Sequence, residues 1–194
     1  MVHNKKRNGY FVEVGVGDGT ALSNTLILER DFGWTGVLAE PNRAFHDKIA
    51  KTRRAVLDKR AVYDISGKKM RFEEVAGVGE LSGLGRHRTE RGSPILSAYD
   101  VETVALDDLL AAHGAPSQID YMSIDTEGSE VDILKGLSLK NRQVAFFTIE
   151  HNFDRKRLKA YHSILQPAGY REILPEISTF DAWFVHRDVQ SDYI

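Results

Sequence analysis

The chain has 194 residues, 42% of them hydrophobic and 28% charged, with a formal net charge of −2. That length and balance suit one globular domain, residues 1–194, and give no overall pull toward nucleic acid or an anionic membrane. The absence of cysteine excludes disulfides, thiolate nucleophiles and cysteine-based zinc sites, and it agrees with a reducing cytosol. No apolar run approaches the ~20 residues that span a bilayer, and MVHNKKRN lacks the apolar centre of a signal peptide. The sequence therefore reads as a soluble, cytoplasmic protein.

The first strand is expected at residues 10–14 (YFVEV), a run of aromatic and β-branched residues. Glycines 15, 17 and 19 then force a tight turn, and a helix is expected from Thr20, as cap, to about Phe32, with Leu22 and Leu26 paired at i,i+4. Residues 35–39 (TGVLA) form the second strand, followed by a helix capped by Asn42 with Phe45 and Ile49 facing inward. Residues 55–63 read as a third strand, and MRFEEV as a further one. From 76 to 100 the sequence is glycine-rich with no sustained period, so it is expected to be a mobile insertion. Residues 101–104 return as a strand, and 106–110 as a short amphipathic helix. Residues 119–124 form a core strand ending at Asp125, then a helix runs over 128–137. The run 144–149 (VAFFTI) has the near-continuous apolarity of a central strand and ends in Glu150, His151 and Asn152. Asp154 caps the last helix, and 170–174 and 182–186 form a closing antiparallel hairpin whose exposed faces offer a route to a homo-oligomer.

Strand, glycine turn and helix in that order place backbone N–H groups at the edge of a sheet where α/β folds bind nucleotide-like ligands. A glycine turn alone serves equally well as a plain connection. Its neighbours decide what it binds. The dinucleotide fingerprint wants glycine where this chain has Thr20, and Glu13 lies inside the strand, where a carboxylate aimed at the crevice repels pyrophosphate and attracts a sulfonium or amino group. Glu40 ends the second strand, placed to accept both hydroxyls of a ribose, and Asp125 ends the 119–124 strand at the same edge. Acids at successive strand ends suit S-adenosylmethionine.

The stretches GYFVEVGVGDGTALSNT (9–25), GWTGVLAEPN (33–42), KRAVYDISG (59–67) and IDYMSIDTEGSEVDILKGL (119–137) resemble the FkbM-type family of S-adenosylmethionine-dependent methyltransferases. The resemblance implies a Rossmann-like seven-stranded α/β sheet, mostly parallel with an antiparallel C-terminal strand and helices on both faces. It also implies that Glu13, Gly15, Gly17, Asp18 and Gly19 hold the methionine part, Glu40 the ribose, and Pro41, Asn42, Arg60 and Ala61 the adenine, with Asp125 near the methyl group.

Methyl transfer to a sugar or small-molecule hydroxyl needs a base or a metal. Asp125, Glu127 and His151 are the candidate catalytic residues. Glu130, at i,i+3 from Glu127, reads equally as a dipole-stabilising acid at a helix start. Asp125 with Glu150, His151 and Asn152 also resembles the divalent-ligand placement of metal-dependent catechol-type methyltransferases, and oxygen-rich ligands suit magnesium or manganese. The cluster Arg86, His87, Arg88 and Arg91 beside Glu90 reads as a solvated loop or as a recruiter of an acidic acceptor. Two other readings stay open: a nicotinamide-dependent oxidoreductase, disfavoured by Glu13 and Thr20, and a cofactor-binding module without catalysis.

Overall fold

The computed structural model describes residues 6–77, 79–85 and 94–189, so the basic cluster at 86–91 lies outside the described residues. A seven-stranded sheet is built from β1 (Tyr10–Val14), β2 (Thr35–Ala39), β3 (Val56–Asp58), β8 (Gln118–Ile124), β9 (Gln143–Glu150), β10 (Tyr170–Ile173) and β11 (Asp181–His186). Its order is β10-β11-β9-β8-β1-β2-β3. Only β11 runs against its neighbours, pairing antiparallel with both β9 and β10. The expected sheet, mostly parallel with a reversed C-terminal strand, is thus the one the chain forms.

Side-chain alternation along the central strands sorts the core into two layers. Val12, Val14, Met122, Ile124, Phe147 and Ile149 pack on one face, against α3 (Leu106–Ala112), α4 (Glu130–Lys135) and α5 (Arg155–Leu165). Phe11, Leu38 and Tyr121 pack on the other, with Ile49 of α2 (Arg43–Thr52) and with Leu28 and Phe32 of α1 (Leu26–Phe32). No helix among the described residues is long and apolar enough to cross a membrane.

Three elements differ from expectation, each for a local reason. Residues 20–25 do not join α1, which begins at Leu26. Asp18 accepts from the Thr20 and Ala21 amides, and Glu13 accepts from the Asn24 amide and the Ser23 and Thr25 hydroxyls, so these groups are taken from a helical ladder. Residues 55–63 are two strands rather than one. Asp58 accepts from the Arg60 amide at 2.9 Å and from its guanidinium at 3.0 and 2.6 Å, which turns the chain out of β3 and into β4 (Ala61–Tyr63). The stretch 76–100 is also less loop than expected, because Ile95 to Asp100 belong to β7 (Ile95–Ala105). β4 pairs parallel with β7, and β5 (Lys69–Val75) pairs antiparallel with β7 and with β6 (Gly83–Leu84), giving a second, four-stranded sheet.

Candidate active site

The glycine turn is shaped by a close approach. Gly15 has φ +80°, and a Cβ there would sit 1.6 Å from the Asp125 carbonyl oxygen. The Asp125 amide donates to Val14 O and the Gly15 amide to Ala39 O, so the ends of β1, β2 and β8 are bound together at this point. Glu40, 5% exposed, reaches across: Oε2 accepts from the Val16 and Gly17 amides at 3.0 and 2.9 Å, and Oε1 from the Asn42 amide at 2.7 Å. A carboxylate has about four lone-pair sites, and these amides take three of them while Glu40 lines the cavity.

A cavity of about 300 Å³ runs from this turn along the sheet edge. Gly15, Gly17, Glu40, Pro41, Phe45, Ala61 and Val62 line one part, and Asp125, Thr126, Glu127, Ser129 and Glu150 another. Phe72, Leu81, Ser82 and Leu84, from the second sheet and the segment beside it, supply a further wall. This wall forms when β5, β6 and β7 pair; Phe72 comes from the expected MRFEEV strand, and Leu81 to Leu84 from the stretch expected to be a mobile insertion. Leu22 lines the cavity while 74% exposed, which places it at the mouth rather than in the expected helical pair with Leu26.

The acids at the strand ends meet because of register. Ile124 pairs with Ile149, which sets Asp125 beside Glu150, and Glu127, in a left-handed conformation (φ 60°), brings its carboxylate to both. One carboxylate oxygen from each of Asp125, Glu127 and Glu150 lies within 4.8 Å of the others. Burial, then the charges of Glu127 and Glu130, push Asp125 well above the usual carboxylate range. Burial, then Asp125 and Glu127, push Glu150 the same way against the opposing pull of Arg157. Glu130 plays a different part. Its Oε1 accepts from the Thr126 and Gly128 amides at 3.0 and 2.9 Å, so it holds the turn entering α4, in keeping with the helix-start reading.

Several residues expected to touch the ligand are turned elsewhere. Glu13 shares a face of β1 with Phe11, the α1/α2 face, so its carboxylate meets Ser23, Asn24 and Thr25 instead of lining the cavity. Asp18 bonds Thr20, Ala21 and Lys48, and Gly19 lies away from the cavity lining. Asn42 caps α2 by accepting from the Ala44 amide at 3.0 Å, and Arg60 is bound to Asp58. His151 is not in the cavity lining: Nε2 faces Asp181 O at 3.2 Å, and Nδ1 has no hydrogen-bond partner among the described residues. The acidic cluster therefore contains Glu127 where the sequence suggested His151.

Arg53 is a residue the sequence concealed. In KTRR it reads like its neighbour Arg54, yet its side chain is 0% exposed against 73% for Arg54. It donates to Glu29 Oε2 at 3.0 Å, Ser23 Oγ at 2.8 Å, Thr25 Oγ1 at 2.7 Å and Gly19 O at 3.2 Å. It thus ties residues 19–25 to the end of α2 behind the glycine turn.

Stability should depend on pH through Glu40. Burial, opposed by its three amide donors, pushes its pKa up to about 7 from the ordinary 4.5. The folded chain then holds a proton that the unfolded chain has lost between those values, so stability present below pH 4.5 is lost as pH rises toward 7. At ~1.4 kcal/mol per unit, the loss is about 3 kcal/mol by pH 7.5. Asp58 acts in a separate window: its burial is outweighed by hydrogen bonds from Arg60 and His113, which hold it at about 2. Its stabilisation is present above pH 4 and lost as pH falls through 2. Urea unfolding across pH 4.5–7.5 is expected to show falling stability, with the slope flattened in Glu40→Gln; an unchanged slope in that variant would contradict the assignment.

A mostly parallel sheet with one reversed strand, and a glycine turn facing acids at the strand ends, define a Rossmann-like α/β fold with its cavity at the strand ends. Residues 13–172 match the profile of the methyltransferase FkbM domain, and the chain belongs to that family. Among solved structures it is similar to a methyltransferase from Pyrococcus furiosus, at 11% identity over 93% of this chain and 75% of that one, TM-score 0.46. It is also similar to the precorrin-6y C5,15-methyltransferase of Geobacter metallireducens, at 10% identity over 95% and 83%, TM-score 0.49. A third is the human methyltransferase 10 domain containing protein, at 9% identity over 95% and 73%, TM-score 0.44. No curated protein matches the chain at a significant level.

Proposed function

We propose that the chain transfers a methyl group from S-adenosylmethionine to a hydroxyl of a sugar or another small-molecule acceptor. One observation carries this reading: a single cavity joins the glycine turn and Glu40 to the carboxylates of Asp125, Glu127 and Glu150. The residues suit the donor. Glu40 lines the cavity as an acceptor for a ribose hydroxyl, Pro41, Phe45, Ala61 and Val62 offer an apolar seat for a base, and the acids favour a cation. When bound, the donor supplies an electrophilic methyl on a sulfonium; the acceptor oxygen forms the new C–O bond as the C–S bond breaks, its electron pair leaving on sulfur as a thioether.

What remains for the chain is to exclude water, orient the acceptor and take its proton. A carboxylate whose pKa lies above the usual range is a stronger base than an ordinary one, and Asp125, pushed up to about 7, meets that condition at the cavity wall. The apolar wall of Phe72, Leu81 and Leu84 supports a small acceptor with an apolar face. Incubating the protein with methyl-labelled donor and a panel of hydroxylated small molecules and glycosides tests this. Label held in a base-stable ether is expected; label only on nitrogen, or in a base-labile ester, would overturn the oxygen acceptor.

A further inference from the structure

We propose that Asp125, Glu127 and Glu150 form a binding site for one divalent metal ion of the class that prefers oxygen ligands. Two observations support it. The three carboxylates converge, with an oxygen from each within 4.8 Å of the others. Independently, Glu150 is 8% exposed, lines the cavity, and its Oε2 has no hydrogen-bond partner among the described residues. A buried carboxylate oxygen without a hydrogen-bond partner is costly, and none of the described residues supplies one.

The geometry and the charge both select the ion. Oxygens bound to one ion at ~2.1–2.4 Å lie at most roughly 4.2–4.8 Å apart, so three oxygens that all fall within 4.8 Å of one another are close enough to share an ion. Carboxylate-only donors suit magnesium, manganese or calcium rather than zinc or copper. A sulfonium carries one positive charge and no coordination sites, and an ammonium, with three N–H donors, offsets only one of three carboxylate charges, whereas a divalent ion offsets two and coordinates all three. The backbone holds the arrangement: β8–β9 register sets Asp125 beside Glu150, and Glu130 fixes the turn that carries Glu127 by accepting from the Thr126 and Gly128 amides. Gly83 of the second sheet approaches this turn, its would-be Cβ 3.7 Å from Glu127 Cβ, so the site borders the wall that closes the cavity.

The role of such an ion rests on the methyltransferase reading: a divalent cation beside the acceptor lowers the pKa of a hydroxyl bound to it. Binding itself does not rest on that reading, which keeps the two separable. Titration of the full chain with manganese chloride, followed by calorimetry and by the electron-spin signal of free manganese, is expected to show one ion per chain. Glu150→Gln and Glu127→Gln are each expected to weaken it at least tenfold, while Asp47→Asn, an exposed acid of α2, leaves it unchanged. The same samples are titrated with S-adenosylhomocysteine. No manganese binding up to millimolar concentration, or undiminished binding in both glutamine variants, overturns the metal site. Manganese bound without S-adenosylhomocysteine overturns the donor reading and leaves the metal site standing; the reverse result does the opposite.

Discussion

Replacing Gly15 with alanine is expected to destabilise the protein by on the order of 3–5 kcal/mol and to abolish binding of the methyl donor. The reason is twofold. At φ +80° a side chain is strained, and the new Cβ would sit 1.6 Å from the Asp125 carbonyl oxygen, a backbone atom that no rotamer change can move. Relief requires separating β1 from β8, and that breaks the Asp125 amide bond to Val14 O and shifts the acidic cluster with it. Gly67→Ala isolates the conformational part, because Gly67 has φ +79° but nothing within 4 Å of its would-be Cβ. It should cost about 1–2 kcal/mol. Urea unfolding of both variants measures the difference; equal costs would show that the close approach at Gly15 does not matter.

Glu40→Ala is expected to lower affinity for S-adenosylhomocysteine at least 100-fold, with a stability loss of about 3 kcal/mol or more. Three amide donors, from Val16, Gly17 and Asn42, lose their common acceptor in a buried setting, and each unsatisfied donor costs about 1–3 kcal/mol. Entry of water into the space left by the side chain offsets part of that cost. Glu40→Gln separates the roles. Its amide oxygen can still accept from the turn, so the loss of stability should be smaller, but an NH2 group replaces one acceptor oxygen and ribose recognition should still fall by tenfold or more. Calorimetry and unfolding on both variants provide the check: full affinity in Glu40→Ala would remove the residue from the donor site.

What was legible in the sequence is what local pattern determines. The turn after β1, Glu40 at the end of β2 and Asp125 at the end of β8 are fixed by where apolar runs stop. The seven-stranded, mostly parallel sheet and its reversed last strand were expected from the family resemblance and the helix-free gap between the last two strands. The direction of Glu13 was readable too, since period-two alternation puts it on the same side as Phe11 and away from Val12 and Val14, facing Ser23 and Thr25.

Other features depended on pairings that no local pattern records. The second sheet needs β5 to meet β7, with Lys69 opposite Glu102 and Phe72 opposite Tyr99, across a glycine-rich stretch. The break between β3 and β4 comes from Asp58 binding Arg60 two residues on, in a run that otherwise reads as one strand. Arg53 and Arg54 are adjacent and chemically identical, and both reach Glu29, yet Arg53 is buried and also binds the 19–25 loop while the Arg54 side chain stays exposed. The exchange of His151 for Glu127 in the acidic cluster is set by a single left-handed residue, because φ 60° at Glu127 returns its carboxylate toward Asp125.

The central claim is that the cavity between the glycine turn and the carboxylates holds the methyl donor, and calorimetry on the full chain tests it most directly. Titrations with S-adenosylmethionine, S-adenosylhomocysteine and NAD are expected to give one site per chain for both adenosyl ligands and no heat of binding for NAD. Binding of NAD with none of either adenosyl ligand would contradict it.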